Sequence, residues 1–305
     1  MSQKPTSRGV IAPMLTPFTD DGAPDADRFV AHGKWLLDDG CHALAVFGTT
    51  GEANSLSFEE RRRLLEALVE GGIEPARLMV GTGTCALSET VEATKHALGL
   101  GCESVLMLPP FYYKAVDDEG LYAYMAEVIE RVGDAGLDIY LYHIPPVAQV
   151  GFSVDLVKRL ATAFPENVVG LKDSTGNWDS IKAMIEAAPG LNVFAGTEAF
   201  LLETLRAGGA GTITATGNVN AHAIRHLYDN WQKPDAEALQ DHITSLRQTL
   251  QQRPMIPILK AIVAHYRGDP GWARLRPPFL ALDAVDAAAG IAELEQAYGF
   301  KLEAA

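Results

Sequence analysis

Val168-Val169-Gly170-Leu171-Lys172-Asp173 is an apolar run that ends with one amine. Its composition is typical of a buried strand, and Lys172 stands at the C-terminal tip of that strand. A lysine in water is protonated at neutral pH, but removal from water disfavours the charged form. A lysine at this position can therefore act as a nucleophile. The ordinary alternative is a lysine that leans into solvent.

Two further clusters of reactive side chains also follow apolar runs. One is Gly48-Thr49-Thr50-Gly51-Glu52 and the other is Tyr140-Leu141-Tyr142-His143. In parallel α/β folds the carboxyl ends of the strands lie on one face of the sheet or barrel, and active sites are built there. We therefore expect the three clusters to form one site.

Eight short apolar runs recur along the first two-thirds of the chain. They cover residues 10–14, 43–47, 78–81, 104–108, 138–142, 168–172, 192–195 and 211–214. Most are continuous rather than alternating, as expected for strands buried on both faces of a parallel sheet. Segments with helical periodicity separate them. This alternation predicts an α/β protein with a (β/α)8 TIM barrel, and an open doubly wound sheet is the alternative.

The helical segments carry start signals, and they continue after the strands end. Ser57-Phe58-Glu59-Glu60 has a capping-box pattern, and Ser88-Glu89-Thr90-Val91-Glu92 is interpreted as a second helix start. After residue 234 we find helical stretches at 236–251 and 257–267, then a segment interrupted by Pro277-Pro278. We predict a barrel with the active site in residues 1–234 and a helical C-terminal extension in residues 235–305. Lys260, in the extension, is expected to snorkel to solvent.

Composition excludes several classes of function. The chain has 305 residues, 48% of them hydrophobic, and a formal net charge of −14, which disfavours nucleic acid as a partner. The three cysteines are far apart and share no metal-ligand spacing, so we expect them to be reduced. Neither a signal peptide nor an apolar run long enough to span a membrane is evident. These features predict a cytoplasmic protein that does not bind a membrane.

The three clusters suggest a specific chemistry. A desolvated lysine amine attacks a ketone to give a Schiff base, which acts as an electron sink. Tyr142, next to Lys172 if the two strands pair, is a candidate acid–base group, although buried tyrosines often only donate hydrogen bonds. The Gly-Thr-Thr-Gly turn offers hydroxyls and backbone N–H groups to a carboxylate. Its alternative role is simply a tight turn between a strand and a helix.

Taken together, Gly48-Thr49-Thr50-Gly51-Glu52, Tyr142-His143-Ile144-Pro145 and Gly170-Leu171-Lys172-Asp173 resemble the dihydrodipicolinate synthase and N-acetylneuraminate lyase superfamily. The resemblance extends over nearly the whole chain. Its members are class I aldolases and dehydratases that form a lysine Schiff base on a (β/α)8 barrel. The resemblance implies a small-molecule 2-oxo acid substrate such as pyruvate, no metal or organic cofactor, and a homotetramer built as a dimer of dimers.

The resemblance also assigns roles to individual residues. Catalysis is implied for four of them: Lys172 forms the Schiff base, and Tyr142, Thr49 and Tyr112 move protons, with Tyr112 usually acting across a subunit interface. Thr49 and Thr50 would bind the substrate carboxylate. The remaining positions implied near the substrate are the carbonyl of Ile213 facing the lysine, Gly196 and Glu198 at the distal end, and His143 and Val147 as pocket-lining residues. Packing alone is the alternative for His143.

Two departures from the superfamily narrow the choice of substrate. The synthase branch has an arginine two residues after the proline of its Tyr-Asn-Val-Pro motif, where it binds the carboxylate of the aldehyde substrate. Here Val147 occupies that position. The lyase branch often has an acidic pair after strand 7, and this chain keeps one acid, Glu198. A lyase for a 2-oxo-3-deoxy sugar acid or a related 2-oxo acid is therefore expected, by aldol chemistry or by dehydration.

Several alternatives stay open at this stage. They are dihydrodipicolinate synthase itself, a metal-dependent class II aldolase, and a non-catalytic sensor that binds a 2-oxo acid on the same scaffold. His222 and His226 have the i, i+4 spacing of metal ligands, but no third ligand is evident nearby, so surface histidines are the better interpretation. Gly81-Thr82-Gly83-Thr84 lacks the third glycine of a dinucleotide-binding loop.

Overall fold

A computed structural model describes residues 4–302 of the chain as a closed barrel of eight parallel strands. Each strand pairs with its neighbour in sequence, and β1 pairs with β8. The (β/α)8 prediction is therefore confirmed, and the open-sheet alternative is wrong. The strands are Gly9–Pro13 (β1), Ala43–Val46 (β2), Leu78–Gly81 (β3), Ser104–Met107 (β4), Asp138–His143 (β5), Val168–Asp173 (β6), Asn192–Ala195 (β7) and Gly211–Ile213 (β8).

Helices surround the barrel and continue beyond it. Those that follow β1 to β7 are Ala26–Asp38 (α1), Phe58–Glu70 (α2), Leu87–Gly99 (α3), Asp118–Val132 (α4), Pro145–Ala148 (α5), Val154–Ala163 (α6), Trp178–Ala187 (α7) and Leu201–Arg206 (α8). Those that follow β8 are Gly217–Asn230 (α9), Ala236–Leu250 (α10), Met255–Arg267 (α11) and Ala284–Tyr298 (α12). The last three form the C-terminal helical extension. Within residues 4–302, no helix is both long and apolar enough to cross a membrane.

Local sequence explains where several of these elements begin. At the start of α2, the Ser57 side chain accepts from the Glu60 N–H, and the Glu60 carboxylate accepts from the Ser57 N–H, so the predicted capping box is present. The start predicted at Ser88 is displaced. Helix α3 begins at Leu87, and the residue before it, Ala86, has no side chain that can cap the helix. Ser88 cannot act as the cap because it already lies inside the first turn.

Two layers of apolar side chains hold the barrel together. One cluster fills the barrel interior and includes Ile11, Met79, Leu106, Tyr140 and Phe194. A larger cluster lies between the strands and the helices and continues into the C-terminal extension. The side chains of parallel strands are buried on both faces, which accounts for the continuous apolar runs in the sequence. The extension therefore shares its hydrophobic core with the barrel.

Polar contacts also fasten the extension to the barrel loops. The Arg28 guanidinium of α1 pairs with Asp269, which follows α11, at 2.7 Å. Arg276 pairs with Glu60 of α2, and its guanidinium donates to the Ser55 carbonyl at 2.8 Å. The segment after α11 therefore lies against the loop between β2 and α2, which contains the Gly-Thr-Thr-Gly turn.

Candidate active site

Strand pairing brings Lys172 and Tyr142 together at the carboxyl end of the barrel. The two are register partners between β6 and β5. Lys172 is 4% exposed and Tyr142 is 3% exposed. The Lys172 Nζ atom lies over the Tyr142 ring, 4.3 Å from its centroid. The amine thus lies against an aromatic face at the carboxyl end of the barrel.

Lys172 differs from the other buried lysine in its partners. Among residues 4–302 only Lys172 and Lys260 are buried lysines. Lys260 forms an ion pair with the carboxylate of Glu52, whereas Lys172 has no carboxylate partner in the part of the chain that the structure describes. The Lys172 amine is therefore not held by a carboxylate, and a lysine amine of this kind is a nucleophile for a carbonyl carbon.

Tyr142 lies between the lysine and the Gly-Thr-Thr-Gly turn, with its ring against the Lys172 amine and its hydroxyl toward the turn. Its oxygen lies 3.2 Å from the Thr49 hydroxyl, and either group can donate. Lys172, Tyr142 and Thr49 therefore come from three different strand ends and lie next to one another. The structure brings these three predicted residues together.

The turn itself is tightly constrained. Thr50 is buried, and Thr49 is half-buried. The Thr16 hydroxyl donates to the Gly51 carbonyl at 2.7 Å, and a Cβ atom on Gly51 would lie only 2.7 Å from the Met14 carbonyl oxygen. Glycine is therefore required at position 51, because the turn packs directly on the backbone after β1.

Tyr112 does not join this cluster within one protomer. Its side chain is 73% exposed, and its ring packs edge-on against Tyr113 at a centroid distance of 5.3 Å. The relay role predicted for Tyr112 therefore stays a prediction. Exposure of two neighbouring tyrosines is unusual for a surface that faces only water.

His143 and Asp173 are the next register pair on β5 and β6. The Nδ1 atom of His143 accepts from the Phe152 N–H at 3.0 Å, which leaves Nε2 to carry the ring proton. Burial lowers the pKa of His143, and the nearby Asp173 carboxylate opposes that shift. Asp173 accepts from the Thr175 N–H at 2.8 Å and so fixes the loop after β6.

Glu198 is fully buried, and its carboxylate already has protein partners. The hydroxyls of Thr214 and Thr216 donate to it, and Arg247 of α10 pairs with it at 3.0 Å. A substrate hydroxyl would have to share these oxygens. Contact between Glu198 and the distal end of a substrate stays a prediction, and Arg247 is a member of this cluster that the sequence pattern did not indicate.

The other predicted pocket residues lie on the strand ends or on a loop helix. Ile213 is fully buried at the end of β8. Gly196 follows β7, where a Cβ atom would lie 2.7 Å from the Asp173 carbonyl oxygen. Val147 lies on the short helix α5 and is 62% exposed. The substrate-binding roles of these three residues are not tested by their positions alone.

The prediction for Lys260 is wrong. It was expected to reach solvent, but its side chain is fully buried and pairs with Glu52, the last residue of the Gly-Thr-Thr-Gly-Glu motif. Burial lowers the pKa of Lys260, while the Glu52 carboxylate raises it. The residues around Lys260 in α11 do not indicate this partner, because Glu52 is more than two hundred positions away in the chain.

Comparisons with known proteins show what this chain is similar to. The model of the dihydrodipicolinate synthetase family matches residues 6–296. An uncharacterized DapA-like lyase of Chloroflexus aurantiacus is 34% identical over 284 residues, which cover 92% of this chain and 94% of the relative.

Two solved structures are also similar. The crystal structure of dihydrodipicolinate synthase from Agrobacterium tumefaciens superposes with a TM-score of 0.88 at 32% identity, over 95% of this chain and 99% of that one. The structure of YagE, a prophage protein of the dihydrodipicolinic acid synthase family from E. coli in complex with pyruvate, gives a TM-score of 0.87 at 27% identity, over 95% and 98% of the two chains.

Proposed function

This chain belongs to the dihydrodipicolinate synthetase family and is a lyase of the aldolase type; on that premise we propose that Lys172 forms a Schiff base with pyruvate or another 2-oxo acid. The observation that carries the proposal is the position of the Lys172 amine over the Tyr142 ring, with the Tyr142 hydroxyl next to Thr49. The pyruvate complex of YagE is consistent with this choice of substrate class.

The reaction follows from these neighbours. The Lys172 amine attacks the ketone carbon of the 2-oxo acid, a carbinolamine forms, and water leaves to give the protonated imine. Tyr142 supplies the proton that the departing hydroxyl needs and later recovers one, with Thr49 as its partner. The imine withdraws electrons from the adjacent carbon, so that a carbon–carbon bond can be made or broken, or a hydroxyl expelled. Thr49 and Thr50 hold the carboxylate.

The favoured substrate is a 2-oxo-3-deoxy sugar acid or a related 2-oxo acid. Val147 is exposed and uncharged at the position where the synthase branch has its carboxylate-binding arginine. The second carboxylate of aspartate semialdehyde would therefore have no charged partner at position 147, which disfavours this substrate. The runner-up function is dihydrodipicolinate synthase, the name carried by the Agrobacterium relative.

We include a homotetramer built as a dimer of dimers in this proposal. The exposed, edge-on pair of Tyr112 and Tyr113 supports it, because the hydroxyl of Tyr112 could then reach Tyr142 of a neighbouring subunit. Association of this kind would bury an aromatic surface and complete the proton relay at the same time.

A substrate panel tests the choice between the two functions. The purified protein is incubated with 2-oxo-3-deoxy sugar acids, and released pyruvate is measured with lactate dehydrogenase; condensation of pyruvate with aspartate semialdehyde is measured in parallel. We expect pyruvate release from a sugar acid, or its dehydration, and no turnover of the semialdehyde. A Val147→Arg variant is the matched comparison, and we expect it to gain affinity for the semialdehyde.

Three other outcomes have distinct meanings. Efficient condensation by the parent protein would establish the synthase. Binding of pyruvate without turnover of any partner would favour the sensor. Loss of activity with a chelator, together with resistance to borohydride, would favour a class II aldolase.

A further inference from the structure

The backbone on both sides of the Thr49-Thr50 turn is unusual. Phe47 and Glu52 have φ angles of 59° and 55°, in the left-handed region. Among residues 4–302, only one other non-glycine residue, Gln149, has a positive φ. Such conformations are costly for residues with a Cβ atom and persist only where the surroundings hold them. Something must therefore hold Glu52 in place.

The C-terminal extension provides that constraint. Both Glu52 and Lys260 of α11 are fully buried, and they form an ion pair. The Lys260 amine also donates to the Arg274 carbonyl at 2.7 Å and lies 4.4 Å from the centroid of the Phe18 ring. The second carboxylate oxygen of Glu52 accepts from the Arg276 N–H at 3.3 Å. The end of the turn is thus held from outside the barrel.

A buried ion pair of this kind is poorly explained by stability alone. Removing two charges from water costs about as much as their attraction returns, and apolar residues of similar volume often stabilise a fold equally well. What this contact provides is a defined geometry, since a carboxylate with an ion pair on one oxygen and a hydrogen bond on the other cannot rotate freely. Glu52 is the residue after Gly51, so its orientation sets the path of the turn that contains Thr49 and Thr50.

We propose that Glu52 and Lys260 are a positioning pair that holds the Thr49-Thr50 turn in the conformation that binds the substrate carboxylate. The inference rests on the proposed function and deepens it. Neither residue touches the reacting atoms in this account. The C-terminal extension therefore sets the affinity of the barrel for 2-oxo acids, although Lys172 and Tyr142 lie on β6 and β5.

The test compares two ketones that differ in the carboxylate. Pyruvate and its uncharged amide, pyruvamide, both have a ketone that Lys172 can attack, but only pyruvate has an anionic carboxylate for the turn. The rate of adduct formation with borohydride is measured against the concentration of each ketone. The proteins are the parent, Glu52→Gln, Lys260→Met and the double variant, with Arg253→Met as the control. Arg253 pairs with Asp286 and Glu293 of α12, so its removal disturbs the extension without touching the turn.

We expect the half-saturating pyruvate concentration to rise about tenfold or more in the Glu52 and Lys260 variants, because small displacements of positioning groups change rates by up to about 100-fold. The kinetics with pyruvamide should stay within about twofold of the parent, and Arg253→Met should resemble the parent with both ketones. If Lys260→Met does not fold, the isosteric Glu52→Gln variant and the double variant, which has neither charge, still test the inference.

Two results would overturn the inference in distinguishable ways. If the variants unfold at lower temperature but discriminate between pyruvate and pyruvamide as the parent does, the pair is only structural. If the parent forms no adduct with either ketone, the proposed function fails, and the positioning role fails with it.

Discussion

The contacts of Tyr142 suggest that it does more than pack in the core. Its ring lies under the Lys172 amine, and its hydroxyl lies next to the Thr49 hydroxyl. We expect Tyr142→Phe to keep the ring below the Lys172 amine but to lower kcat by about 10²- to 10⁴-fold, the usual effect of losing an acid–base group. Steady-state kinetics with the best substrate of the panel would measure this.

Tyr140→Phe is the matched control for that variant. Tyr140 lies on the same strand and is also buried inside the barrel, but its hydroxyl interacts with Thr6 rather than with Thr49. Its kcat should stay close to that of the parent. Equal losses of kcat in the two variants would mean that Tyr142 only supports the barrel.

Thr49 can be tested in the same way, since valine has nearly the same shape as threonine but no hydroxyl. Thr49→Val removes the group that lies 3.2 Å from the Tyr142 oxygen. We expect kcat to fall by about 10- to 100-fold, and Thr49→Ser to retain most of the activity. If Thr49→Val keeps the kcat of the parent, then the Thr49 hydroxyl has no role in proton transfer.

The sequence predicted some of these residues and missed others for a physical reason. Lys172, Tyr142 and Thr49 could be found because each follows an apolar strand, and parallel strands end on the same face of a barrel. Lys260 and Arg247 could not, because their carboxylate partners are distant in the chain and are brought near only by packing of the extension. In the sequence, a lysine flanked by apolar residues has the same pattern whether its amine reaches solvent or pairs with a buried carboxylate.

At the scale of single elements, strands were easier to predict than helices. The apolar runs match the eight strands to within about one residue at each end, because strands buried on both faces are composed mainly of apolar residues. Helix α12 was missed. It is rich in alanine, follows the interrupted segment around Pro277-Pro278, and shows little separation of apolar and polar residues around its axis.

Ser57 and Ser88 lie near the starts of α2 and α3, and their different positions predict different effects on stability. Ser57 caps α2, with its hydroxyl 3.2 Å from the Glu60 nitrogen, whereas Ser88 is exposed inside the first turn of α3. We expect Ser57→Ala to lower the free energy of unfolding by about 1 kcal/mol, and Ser88→Ala to leave it nearly unchanged. Urea unfolding of the two variants would measure the difference, and equal effects would contradict the assignment of the cap.

For the whole molecule, closure of the barrel is the property that the sequence left open. Eight strand-and-helix units also suit an open sheet, and only the pairing of β1 with β8 decides between the two. That pairing involves residues about two hundred positions apart, and no local pattern reports on it. The hydrophobic core that the barrel shares with the C-terminal extension also depends on contacts between residues distant in the chain, so no local pattern indicates it.

Buried His32 joins parts of the molecule that are distant in sequence, and its environment predicts how stability depends on pH. Its Nε2 atom lies 3.1 Å from the Asn218 side-chain oxygen, and its Nδ1 atom lies 3.0 Å from the Arg267 guanidinium. The ring is therefore neutral, with its proton on Nε2. Burial, together with Arg267, lowers the pKa of His32 from 6.5 to about 3.

Because the pKa of His32 is lower in the folded protein, protonation favours the unfolded chain. Its contribution to stability is complete above pH 6.5 and is lost as pH falls toward the folded value. Between pH 6.5 and pH 5 we expect a loss of about 2 kcal/mol, measured by urea unfolding. His32→Gln should reduce this pH dependence, and replacement of the exposed His222 should not. A parent protein whose stability does not change over this range would contradict the assignment.

Reduction by borohydride would trap the Schiff base that we propose at Lys172. The parent and Lys172→Ala proteins are incubated with pyruvate and sodium borohydride, and intact mass and peptide maps are recorded. We predict one pyruvyl-sized adduct on the parent, located on Lys172, and none on the variant. An adduct that persists in Lys172→Ala, or a parent that forms none, would contradict this prediction.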